Sequence, residues 1–127
     1  MNIRWRSHAY SDGDAIFEAR VYWDDDRPEP RPGVLVSHAW RGRSDFENGR
    51  AEAMARLGYV GFALDLYGKG ILGRNNEENQ RLMQPFMQDR EKLQQHMKLA
   101  LREIRKLPEV DPSRVAAIGF CFGGLCV

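Results

Sequence analysis

Apolar residues recur along this chain in two rhythms, and the switch from one rhythm to the other divides it into strands and helices. Ala15 to Trp23, AIFEARVYW, alternates with a period near two, as a half-exposed strand does. DDDRPEPRPG, Asp24 to Gly33, is polar and proline-rich, which makes it a surface connection. Its three aspartates read as a solvated turn rather than a metal site, because no histidine lies nearby. VLVSHA, Val34 to Ala39, is a short apolar run of the kind buried in a parallel sheet. After the loop WRGRSD, Ser44 or Asp45 can cap a helix whose apolar positions are Phe46, Ala53, Met54 and Leu57, and Gly58 ends it. YVGFALDLYG, Tyr59 to Gly68, is a second buried strand that runs into a loop. From about Asn79 to Leu107 the period becomes three to four. Phe86, Leu93, Met97, Ala100, Ile104 and Leu107 form one stripe, with a break expected near Pro85. EVDPSR is a turn, and VAAIGF, Val115 to Phe120, is a third buried strand with a helix beginning at its end.

The order is strand, then βαβαβ, then the start of a helix. This alternation predicts an α/β protein with three layers, α/β/α, around a mostly parallel sheet with right-handed crossovers. At 127 residues the chain suits a single domain. Its net charge of +1 gives no support for a nucleic-acid partner or an anionic membrane. No apolar run approaches the roughly 20 residues that span a bilayer, and the N-terminus lacks the apolar core of a signal peptide. The chain is expected to be cytoplasmic.

The chemistry concentrates in GFCFGG, Gly119 to Gly124. A strand that feeds G-x-C-x-G and then a helix can hold a nucleophile on a strained turn, with its side chain pushed out at the strand's carboxyl end. Gly119 and Gly123 stand where strand and helix must approach closely, and Gly124 adds slack. The start of a helix favours a charged thiolate, and the backbone N–H of Phe122 points to where an oxyanion would develop. Cys121 is therefore the candidate nucleophile. Cys126 falls inside the new helix and reads as core, and the pair fits no C-x-x-C motif. Taken alone, two buried structural cysteines remain the competing reading.

RPGVLVSHAWRGRSDF, ARLGYVGFALDLYGKG and VDPSRVAAIGFCFGG resemble the dienelactone hydrolase family, of the α/β-hydrolase fold, in order and near its spacing. The resemblance covers most of Arg31 to Gly124, and it makes residues 1–127 the N-terminal part of a single α/β-hydrolase domain. It implies that Cys121 attacks a small lactone or carboxylic ester to form an acyl-enzyme. Oxyanion donors would come from the backbone of Phe122 and Trp40. The family's thiol-activating glutamate falls at Ala39, which cannot serve. Arg81 matches a substrate-carboxylate arginine loosely, and Lys69 falls where relatives often carry a basic residue. His38 reads as a packing residue and Asp65 as a carboxylate that fixes a loop. No metal or organic cofactor is implied.

The resemblance places the acid and the histidine of the triad after Val127, because chain order in this fold is nucleophile, acid, histidine. His8, His38 and His96 all lie upstream of Cys121. These 127 residues alone are therefore expected to be weakly active or inactive. The elbow strand would be left as an apolar edge, from which a homo-oligomer is expected. The alternative is a non-catalytic half-fold module that self-associates or pairs with a separate C-terminal chain.

Overall fold

The computed structural model describes residues 1–127. Strands β1 (Ile3–Asp12), β2 (Ala15–Asp24), β3 (Arg31–Ser37), β4 (Val60–Ala63) and β5 (Val110–Gly119) form one sheet in the order β1-β2-β4-β3-β5. The β3/β4 and β3/β5 ladders are parallel, whereas β1/β2 and β2/β4 are antiparallel. The sheet is thus mixed. Its parallel part is the βαβαβ series expected from the sequence, and its antiparallel part is a hairpin turned at Gly13. Here φ is +60°, a conformation open to glycine. Strand β1 escapes the sequence pattern because it is an exposed outer strand whose buried positions are sparse.

Helix α1 (Asp45–Arg56) covers one face, while α2 (Asn76–Gln88), α3 (Arg90–Arg105) and the short α4 (Phe122–Cys126) lie at the other. Of the expected stripe, Phe86 of α2, Leu93, Ala100 and Ile104 of α3 and Leu107 just beyond it are buried, and Met97 is half-buried. Burial of each leucine or isoleucine among them contributes roughly 1.5–3 kcal/mol. The helical break falls at Asp89 rather than Pro85. Asp89 is extended (φ −127°, ψ 90°), and its carboxylate accepts from the Lys92 N–H at 3.1 Å, which caps α3. Pro85 stays inside α2.

Helix α1 packs differently from its sequence pattern. Phe46 and Leu57 are exposed, and the buried residues are Glu47, Asn48, Ala51 and Ala55. The cause is close backbone approach. A Cβ on Gly61 of β4 would sit 2.0 Å from the Ala51 carbonyl oxygen, so only small residues fit between helix and sheet. Gly58 ends the helix at φ +99°. Gly61→Ala is expected to lower stability by about 1–3 kcal/mol, measured as a shift in the urea midpoint. Gly49→Ala meets nothing within 4 Å in α1 and should instead stabilise by up to about 1 kcal/mol.

Candidate active site

The turn after β5 is built by two glycines. A Cβ on Gly119 would lie 2.0 Å from the Gly123 carbonyl oxygen, and one on Gly123 would lie 2.2 Å from the carbonyl oxygen of Ser37. Both positions must lack a side chain for α4 to start against the end of β3. Between them Cys121 takes φ 57°, ψ −115°, and it is the chain's one non-glycine residue with positive φ. Such a conformation costs of order 1–3 kcal/mol, supplied by the surrounding packing. It leaves Cys121 exposed and unpaired, whereas Cys126 is buried. Burial pushes the Cys126 thiol up to about 11, against a smaller opposing effect of a hydrogen bond with Ser37.

Phe122 anchors the turn. Its buried ring lies 6.3 Å from Tyr67, nearly parallel at 17°, and 6.3 Å from Phe86. Tyr67 in turn donates its hydroxyl to the Trp40 carbonyl at 2.9 Å. The loop after β3 is tied off almost atom by atom. The Ala39 N–H donates to Glu47 at 3.3 Å, and the Ala39 carbonyl accepts from Gly42 at 3.1 Å. The Trp40 N–H donates no hydrogen bond within the chain, and neither does the N–H of Phe122.

His38 is fully buried. Its Nε2 accepts from the Leu66 N–H at 3.0 Å, so the proton sits on Nδ1, which donates to the Ala39 carbonyl at 2.8 Å. Burial lowers its pKa, against smaller opposing effects from that carbonyl and from Asp65 and Glu47. The ring is a neutral clamp between the loops that follow β3 and β4. Asp65 has the loop-fixing role expected: its carboxylate accepts the N–H groups of Glu18, Tyr67 and Gly68, each at 3.0 Å. His8 pairs with Glu103, and His96 donates to the Leu66 carbonyl at 2.9 Å. None of the three histidines hydrogen-bonds Cys121.

The dienelactone hydrolase family model matches residues 17–127. The chain belongs to that family. Among solved structures, one named m3DLH is 36% identical with a TM-score of 0.95. A dienelactone hydrolase-like promiscuous phosphotriesterase from metagenomic libraries is 33% identical, also at 0.95. Each comparison covers 99% of this chain and 52% of the other, so the chain spans about half the length of these relatives. A putative dienelactone hydrolase from Klebsiella pneumoniae, 18% identical at 0.80, shares the fold over 98% of this chain and 52% of its own. No curated protein matches the sequence.

The buried carboxylate nearest in sequence to Ala39 is Glu47. Glu47 also accepts from the Ser44 N–H at 3.0 Å and from the Ser44 hydroxyl at 2.9 Å. The S-x-x-E spacing of a capping box was the signal that marks it. Arg81 is exposed and ion-paired with Glu77. It lines a cavity of about 420 Å³ with Phe17, Tyr67, Phe86, Lys92 and His96. Lys69 lies outside that cavity, 3.7 Å from Glu18. No helix is long and apolar enough to cross a membrane.

The clamp predicts a pH dependence. The folded pKa of His38 is depressed, so the unfolded chain binds the extra proton first, and stability is lost as pH falls below about 6.5. His96, lowered by its own burial, contributes with the same sign. In urea titrations at about pH 7.5 and about pH 5.5, His38→Gln should be less stable than the parent at the higher pH and should lose less on acidification. An unchanged slope would remove His38 from this role.

Proposed function

We propose that this chain is the nucleophile-bearing half of a hydrolase in which Cys121 attacks a small lactone or carboxylic ester. The reading rests above all on Cys121, a strained, exposed cysteine held between two glycines that tolerate no side chain. The Sγ thiolate adds to the carbonyl carbon, and the displaced electron pair moves to the carbonyl oxygen. The uncommitted N–H groups of Trp40 and Phe122 stabilise that oxyanion. Collapse breaks the C–O bond, and the alkoxide, which departs from an ester but stays tethered to the acyl group of a lactone, takes up a proton from solvent. Water then cleaves the thioester, releasing the acid and restoring the thiol. Glu47, the Tyr67 hydroxyl and His38 hold the Ala39–Trp40 loop, whose Trp40 N–H makes no hydrogen bond within the chain.

Turnover needs a base, which contributes typically 10²–10⁴-fold. All three histidines are engaged elsewhere, so the base is assigned to the portion of the relatives that this chain does not span. Arg81 is proposed to receive a substrate carboxylate in its aromatic-walled cavity, a stronger candidate than Lys69, which lies outside it. The phosphotriesterase relative supports a second substrate class. The same thiolate and donors fit a phosphotriester, whose phosphoryl oxygen takes the oxyanion's place. Two free thiols accord with a reducing, cytoplasmic setting.

Mixing the chain with p-nitrophenyl acetate or with diethyl p-nitrophenyl phosphate should release about one equivalent of p-nitrophenol per chain, followed by slow turnover. The ester that gives the faster burst identifies the substrate class. Cys121→Ala should abolish the burst for both, and a burst that survives this change would refute the nucleophile assignment.

A further inference from the structure

Residues 67–75, in the connection between β4 and α2, lie across the turn that carries Trp40. That turn is closed by the Gly42 N–H, which donates to the Ala39 carbonyl at 3.1 Å. Both carbonyls inside it accept from the connection. The Tyr67 hydroxyl donates to Trp40 at 2.9 Å, and the Gly73 N–H donates to Arg41 at 2.9 Å. Arg41 returns the contact, its Nε donating to the Gly73 carbonyl at 3.3 Å. Gly42 lets the connection come this close, since a Cβ there would sit 2.9 Å from the Ile71 carbonyl oxygen.

Gly73 is itself seated by Asn79 of α2. Asn79 is buried, and its Oδ1 has no hydrogen-bond partner. The oxygen lies against the Gly73 α-carbon, where a Cβ would overlap it. A Cα–H···O contact accounts for a buried amide oxygen left otherwise unpaired. Gly73 is not among the glycines with positive φ, so contact with Asn79 is what excludes a side chain there.

We propose that Gly73, seated by Asn79 and paired with Arg41, is a positioning residue for the Trp40 N–H. The inference rests on the reaction proposed above, in which that N–H is an oxyanion donor. The coupling runs through two peptide units. The unit joining Arg41 to Gly42 carries the carbonyl held by Gly73 and the N–H held to Ala39. The Ala39 carbonyl shares its own peptide unit with the Trp40 N–H. A shift of Gly73 therefore turns the donor without touching the thiol of Cys121.

Two reactions of the same thiol separate these effects. Acylation by p-nitrophenyl acetate develops an oxyanion, whereas alkylation by iodoacetamide does not. In Gly73→Ala, folded by circular dichroism, the burst with the ester should slow at least about tenfold, while alkylation of Cys121 stays within about twofold of the parent. Gly73→Ala combined with Asn79→Ala makes room for the methyl group and should return the burst to within about threefold of the parent. Arg41→Ala removes a single hydrogen bond from an exposed side chain, and it decides the matter if Gly73→Ala does not fold. It too should slow the burst and not the alkylation. Burst and alkylation falling together, an unchanged burst in folded Gly73→Ala or in Arg41→Ala, or no recovery in the double variant would overturn the proposal. A parent chain without a burst would overturn the hydrolase reading itself, and this inference with it.

Discussion

The whole candidate site depends on one close contact, the start of α4 pressed against the end of β3. Gly123 lies so near the Ser37 and His38 carbonyls that a methyl group there would overlap backbone, and Gly119 is equally confined by Gly123 itself. This contact forces the chain through a conformation at Cys121 that an L-residue rarely adopts. Exposure of the thiol follows from that geometry, as does its separation from Cys126, which turns into the core five residues later. The energy that holds the strain comes from Phe122, buried among Tyr67, Phe86 and His38.

The same contact couples the elbow to the loop after β3. That loop is short of regular structure but not of hydrogen bonds. Glu47 of α1 and the Tyr67 hydroxyl of the loop after β4 satisfy its polar groups from outside, and His38 does so from within the loop. Buried polar groups left unpaired cost roughly 1–3 kcal/mol each, so the loop has little freedom to rearrange. The neutral state of His38 matters here, since a protonated ring could not accept from Leu66 at Nε2.

Much of this was legible in the sequence. The strands β2 to β4, the stripe of α3 and the glycine-flanked turn each carry a readable pattern, and the family match over residues 17–127 agrees with them, whereas β5 begins at Val110, inside the stretch whose proline and polar residues read as a turn. Other features were not legible, for identifiable reasons. The apolar residues of α1 pointed to Phe46 and Leu57 as core, but the close approach of Gly61 to Ala51 turns the small-residue side of the helix, Ala51 and Ala55, to the sheet. A proline drew the helical break to Pro85, whereas the capping carboxylate of Asp89 sets it. Glu47 passes for a surface residue until the loop that it holds is seen, and the cavity shared by Arg81 and His96 exists only once α2 and α3 are folded together.

The turn, and not the cysteine content of the chain, is held to make Cys121 reactive, and alkylation by iodoacetamide tests this most directly. A thiol at about 11 is less than roughly one part in a thousand thiolate near neutral pH, and Cys126 is also buried. With both sites followed by peptide mapping, Cys121 should react at least about 100-fold faster than Cys126. Gly123→Ala, which breaks the contact beneath the turn, should bring the two rates together. Equal rates in the parent chain, or a preference that survives Gly123→Ala, would contradict the account.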